Sequence, residues 1–173
     1  MALSWLLDDG PFEILAKWVP PERVEQWPSG LCRVAEATER NAFQDPKRRR
    51  LLEMAVFGSA RIEVGGAAHR ILTEHLRRED ETTRVNLAEH QSIAWLLQQP
   101  EGIFVVTDKQ ATVLALAELG RGRVAHAFDF WDYLHREGLV SESELESVAS
   151  ATLKRDQGLP GLPWRFTAAA GKS

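Results

Sequence analysis

The apolar positions of this chain fall into short unbroken runs set between longer segments of helical period. Trp5-Leu6-Leu7 is apolar throughout and ends in two acids, Asp8 and Asp9. Ile103-Phe104-Val105-Val106 is a second such run, closed by Thr107 and Asp108. Unbroken runs predict strands covered on both faces, because a strand with one wet face alternates instead. Leu31 to Val34 and Arg123 to Ala125 predict two further short strands. The alternating stretch Ala60-Arg61-Ile62-Glu63-Val64, closed by Gly65-Gly66, predicts another.

Between these runs the period is that of helices. Pro11 opens one through Trp18, and Pro20-Pro21 ends it and starts a short one to Trp27. Helices are predicted over 36–43, 67–76 and 46–57, the last with Leu51, Leu52, Met54, Ala55 and Val56 on its apolar face. Residues 77–84 read as a charged connection. Asn86 with Glu89, and Ser141 with Glu144, have the spacing of capping boxes, opening helices through Leu97 and to about Lys154. A helix from Asp108 to Leu119 has Gly120 just past its end, and another over 128–136 is stopped by Gly138. Strands that alternate with helices predict a three-layer α/β/α fold around a mostly parallel central sheet. One domain is expected over 1–157, with a Pro/Gly-rich tail over 158–173 that holds Trp164 and Phe166.

Composition narrows the function classes. A chain of 173 residues can bury one sizeable core, and 44% hydrophobic with 27% charged residues excludes a disordered protein. No run of apolar residues is long enough to span a membrane, and the opening segment lacks the basic region of a signal peptide. Cys32 is the single cysteine and no Cys/His cluster offers a zinc site, so a reducing cytoplasm is the expected setting. The net charge of −4 disfavours tight non-specific binding to duplex DNA. Basic residues are nevertheless grouped at 47–50, at 77–78 and at Arg121 and Arg123, either as solvated helix ends or as contacts for phosphates. His69, His75, His90, His126 and His135 are scattered and read as surface or packing residues, which leaves no Ser/His/Asp or Cys/His set.

In a parallel sheet, ligand sites lie beyond the carboxyl ends of the strands. Asp8 and Asp108 stand at two such ends, and Glu89 lies in the first turn of the helix leading to the second strand. Each has a local role open to it as well. Asp9, or Asp8, would cap the helix that Pro11 opens, Asp108 would cap the helix after it, and Glu89 would be the capping-box partner of Asn86.

The same residues carry a family resemblance. The segment from Leu6 to Leu15, Leu-Leu-Asp-Asp-Gly-Pro-Phe-Glu-Ile-Leu, resembles the opening of PIN domains, with Asp8 at the first metal-binding position. Ala88-Glu89-His90-Gln91-Ser92-Ile93-Ala94 is similar to the family's Gly-Glu-x-x-Ala-Ile-Ala segment and places Glu89 at a second acid. Val105-Val106-Thr107-Asp108, followed by a helix and Leu119-Gly120, is similar to the strand–Thr–Asp–helix segment that ends PIN sites and places Asp108. The helix over 128–139, ending in Gly-Leu-Val, extends the resemblance, which covers about 3–153.

The resemblance implies a divalent-metal-dependent ribonuclease acting on single-stranded or structured RNA, with Mg²⁺ or Mn²⁺ held by carboxylates and no protein nucleophile. Its implied catalytic residues are Asp8, Glu89 and Asp108, with RNA as substrate. An antitoxin protein and a homodimer are further candidate partners, since PIN domains are often toxins of toxin–antitoxin pairs. The chain departs from the family pattern at one point. Where an early helix usually carries another acid, Val34-Ala35-Glu36-Ala37-Thr38-Glu39-Arg40-Asn41 puts Asn41 in register, with Glu39 or Glu36 available after a local shift. Asn keeps an oxygen ligand but loses a charge. The alternative expectation is therefore a PIN-like domain without turnover that binds nucleic acid or protein. A phosphoacceptor receiver domain is excluded, because the middle strand 61–66 ends without an Asp.

Overall fold

A computed structural model describes residues 4–78 and 86–155. The tail over 158–173 and most of the charged connection after Arg78 lie outside the described residues. The chain runs β1 (Trp5–Leu7), α1 (Asp9–Trp18), α2 (Pro21–Val24), β2 (Cys32–Ala35), α3 (Glu36–Ala42), α4 (Pro46–Leu52) and β3 (Phe57–Ala60). It continues through α5 (Ala67–Arg78), α6 (Leu87–Leu96), β4 (Ile103–Val106), α7 (Lys109–Leu119), β5 (Val124–His126), α8 (Ala127–Arg136) and α9 (Glu142–Arg155). The strands form one all-parallel sheet in the order β3-β2-β1-β4-β5.

Successive residues of the central strands feed two cores, as the unbroken apolar runs require. Trp5, Leu7 and Val105 point to one side, with Phe12 and Leu15 of α1, Trp131 and Leu134 of α8 and Val148 of α9. Leu6, Phe104 and Val106 point to the other, with Ile93 and Leu96 of α6 and Ala111 and Ala115 of α7. That is the expected three-layer arrangement. Among the described residues no helix is long and apolar enough to cross a membrane.

Helix ends follow the local chemistry. Asn86 Oδ1 accepts from Glu89 N while Glu89 Oε2 accepts from Asn86 N, a complete capping box. Ser141 and Glu144 repeat it for α9. Gly120 ends α7 at φ 81°, in the left-handed region that only glycine enters freely. His126 and Asp129 form a further capping box on α8 that the sequence reading missed.

The edge strand corrects one expectation. The helix expected to run to Phe57 stops at Leu52, and the strand expected over 60–64 is instead Phe57–Ala60, paired with β2 from Cys32 to Ala35. Gly58 lets that edge close over Arg33, since a Cβ there would lie 2.8 Å from Arg33 Nη1. The alternating segment after it is held by a side chain instead of a ladder, with Ile62 N donating to Glu36 Oε1.

Candidate acidic site at the carboxyl edge of the sheet

The chain order places a crevice between β1 and β4. After β1 the next two strands step to one side, and β4 then returns to the other side of β1. The crossovers at β1 and β4 diverge there, opening space beyond their carboxyl ends. Leu7 pairs with Val105, and Asp8 N donates to Val105 O at 3.0 Å, so the ladder carries Asp8 to the last rung before the crevice. Thr107 and Asp108 leave β4 at the same edge. The two strand exits touch, since a Cβ on Gly10 would lie 2.8 Å from Thr107 Oγ1. Gly10→Ala is therefore expected to destabilise the fold by about 1–3 kcal/mol through overpacking, measured by urea unfolding.

Glu89 reaches this edge from α6. The N-termini of α6 and α3 meet there: Ala37 N donates to the buried Gln91 Oε1 at 2.9 Å, and Ala35, Ala37 and Ala88 pack together. Asp8 is 3% exposed and Glu89 is 4% exposed. Their carboxyls lie close enough to act directly on each other. Two buried carboxylates in contact cannot both ionise cheaply, so the pair holds a shared proton. Burial is the main cause of the rise on each. It carries Asp8 up to about 7, with the charges of Asp9 and Asp108 adding to the rise and the Asp9 backbone N–H opposing it. It carries Glu89 up to about 9, with the charges of Asp8 and Asp108 adding and the bond from Asn86 N opposing.

The structure thus brings Asp8 and Glu89 into contact, with Asp108 near enough to act on both. Asp108 is exposed, and its Oδ2 accepts from Ala111 N at 2.9 Å as the cap of α7. Asp108 and Glu89 hold their capping roles while also facing one crevice. Asp9 does not cap α1. It is the first helical residue, Asp8 stands at the cap position, and neither makes a side-chain capping bond. Asp8 Oδ1 and Thr38 Oγ1 are buried without an ordinary hydrogen-bond partner. On α3, Glu39 is half-buried and Asn41 is exposed, and neither is among the leading charges on Asp8 or Glu89.

Among the described residues no group of three or more His, Cys, Asp and Glu is gathered as a ready metal cage. Two residues at this edge carried no sequence signal. Gln91 ties α6 to α3, and Arg155, 142 residues after Glu13, forms an ion pair with it at 3.1 Å. A Cβ on Gly10 would lie 3.5 Å from Arg155 Nε, which sets a guanidinium beside the start of α1. Comparison with known proteins adds no relative, since no family model, curated protein or solved structure matches the chain.

Proposed function

We propose that this chain is a PIN-type ribonuclease that hydrolyses phosphodiester bonds of single-stranded or structured RNA, with Mg²⁺ or Mn²⁺ held by Asp8, Glu89 and Asp108. The observation that carries the reading is the buried Asp8–Glu89 pair at the end of a central strand, with Asp8 Oδ1 left without a donor. Burying two acids together costs stability, and a fold that keeps them at a crevice has use for concentrated negative charge. The donors are all oxygen, the kind that hard divalent ions prefer. Glu89 caps its helix through Oε2 and Asp108 through Oδ2, so each keeps one oxygen uncommitted to its cap. When bound there, the ion supplies an activated water and neutralises charge that builds on the phosphate.

The chain's own residues do the rest. Asp8 and Glu89 hold charge on a dry floor where its field is strong, and Asp108 holds it at the open rim where a phosphodiester arrives. The proton shared by Asp8 and Glu89 must leave before both can act as ligands, which makes loading of the site pH-dependent. The test is cleavage of single-stranded RNA by purified protein freed of any bound partner, in Mn²⁺ and again in EDTA. Cleavage only with metal is expected.

A second reading has its own support. Asn41 stands exposed where the family carries an acid, and the acids are not gathered as a ready cage. A PIN-like module that binds nucleic acid or protein without turnover would show binding in the same experiment and no cleavage in either condition.

A further inference from the structure

A groove runs between α1 and α9, and Arg155 at one end of it stands near Gly10, where β1 and β4 leave the sheet. Its volume is about 660 Å³. The two helices lie antiparallel, because Arg155 at the end of α9 stands beside Gly10 at the start of α1. On α9 the lining runs from Glu146 to Arg155, a span of about 15 Å, with Arg155 at the end near Gly10 and Trp18 of α1 at the far end. Trp18 is 43% exposed, although an indole is usually among the most buried side chains. Lys17 Nζ stands 5.5 Å from its ring centroid, so a cation and an aromatic face are presented together.

The groove and its continuation past Trp18 are lined by the cations Lys17, Lys47, Arg50, Lys154 and Arg155 against the acids Glu13 and Glu146. Arg155 is paired with Glu13 and Arg50 with Glu22 and Glu25, whereas Lys17, Lys47 and Lys154 form no ion pair with a described residue. A local excess of positive charge on a chain of net charge −4 calls for an anionic occupant. Ser150 of α9 adds a hydroxyl along the same wall, while Ser147 donates its own to Ser143 O. Cations in a line with a flat aromatic surface at one end suit a sugar-phosphate backbone with unpaired bases, because every base has a face to stack.

We infer that the groove between α1 and α9 is a track for single-stranded nucleic acid, in which a base stacks on Trp18, Lys17 and Lys154 contact phosphates, and Arg155 delivers the strand to the crevice. The direction of travel rests on the ribonuclease reading, but binding in the groove does not.

The test is therefore made without metal. Fluorescence anisotropy of a labelled oligouridine is followed with the full chain in EDTA, between about 50 and 200 mM salt. Trp18→Ala is expected to weaken binding at least about fivefold, the low end of the loss of one stacked base. Lys17→Gln combined with Lys154→Gln should lower the slope of log K against log salt by about 1.4, the loss of two single-strand phosphate contacts. Val113→Ala, on the exposed face of α7, should bind as the wild type does. No binding by the wild-type chain, or groove variants that bind within about twofold of it with the same slope, overturns the track. Binding through the groove without Mn²⁺-dependent cleavage keeps the track and removes the ribonuclease. Cleavage that groove variants leave unchanged, with unchanged binding, does the reverse.

Discussion

Asp8→Asn and Asp108→Asn are each expected to reduce Mn²⁺-dependent cleavage of single-stranded RNA by at least about a hundredfold while leaving the fold intact. Asn preserves size and one oxygen but removes a charge, and a group that stabilises developing charge at a dry site is worth at least that factor. The two variants report on different parts of the crevice. Asp8 sits on the buried floor, where removing its charge also relieves Glu89 of a neighbour that keeps it protonated. Asp108 sits exposed at the rim, and Asn at that position still accepts from Ala111 N, because Asn caps helices about as well as Asp. A loss at Asp108 therefore reads the charge and not the helix. Asp9→Asn serves as the comparison, because Asp9 is the first residue of α1 and its side chain acts on Asp8 through charge, while its backbone N–H is unchanged by the substitution. Equal losses at Asp8, Asp9 and Asp108 would mean that the crevice needs negative charge in general and not a ligand set. Glu39→Gln and Asn41→Ala separate the two candidates on α3. A large loss at Glu39 brings that half-buried carboxylate into the site, and a loss at neither leaves three acids to do the work.

The sheet was legible because its central strands carry information in the order of their residues. Trp5-Leu6-Leu7 and Ile103-Phe104-Val105-Val106 are apolar without a break, and they are the two strands that feed a core on each face. The capping boxes at Asn86 and Ser141 were legible for the same local reason, with two residues at fixed spacing satisfying each other. β3 was not legible. Phe57-Gly58-Ser59-Ala60 has no β-branched residue, and its strand character comes from pairing with β2, a contact between segments 25 residues apart in register, as in Cys32 with Phe57. The alternation just after it resembled a strand more than the strand did. At the site, the strand-end position of Asp8 and Asp108 could be read from the chain, whereas the burial of Glu89 against Asp8 could not. That contact depends on how α6 leans on α3 through Gln91 and the three alanines, which is a property of packing. Arg155 was illegible for a plainer reason, since nothing in a helix end predicts which distant glycine it will cover.

The pH dependence of stability should carry the signature of the Asp8–Glu89 pair. An acid whose pKa is higher in the folded state holds a proton that the unfolded chain has lost, so folding takes up protons between the two values. The stabilisation is complete below the unfolded values near 4 and disappears as pH rises through the folded ones, about 7 for Asp8 and about 9 for Glu89. Glu89→Gln removes the part of this dependence that Glu89 carries and leaves the part that burial gives Asp8. The Gln amide donates to Asp8 as the protonated carboxyl does, and its oxygen still accepts from Asn86 N. Without metal, the wild-type chain should therefore lose stability relative to Glu89→Gln as pH is raised from 4 to 9. The loss should appear as a Tm of the wild type, relative to the variant, that is lower at pH 9 than at pH 4. Mn²⁺ should reverse the loss in the wild type only, by about 2.7 kcal/mol at a hundred times Kd, and more strongly at high pH as the shared proton leaves. Thermal unfolding across that range, with and without millimolar Mn²⁺, measures both effects. Parallel curves for wild type and Glu89→Gln would mean that the two carboxyls do not share a proton. A wild-type curve that Mn²⁺ leaves unmoved at pH 9, where both acids are most fully charged, would remove the metal from the site.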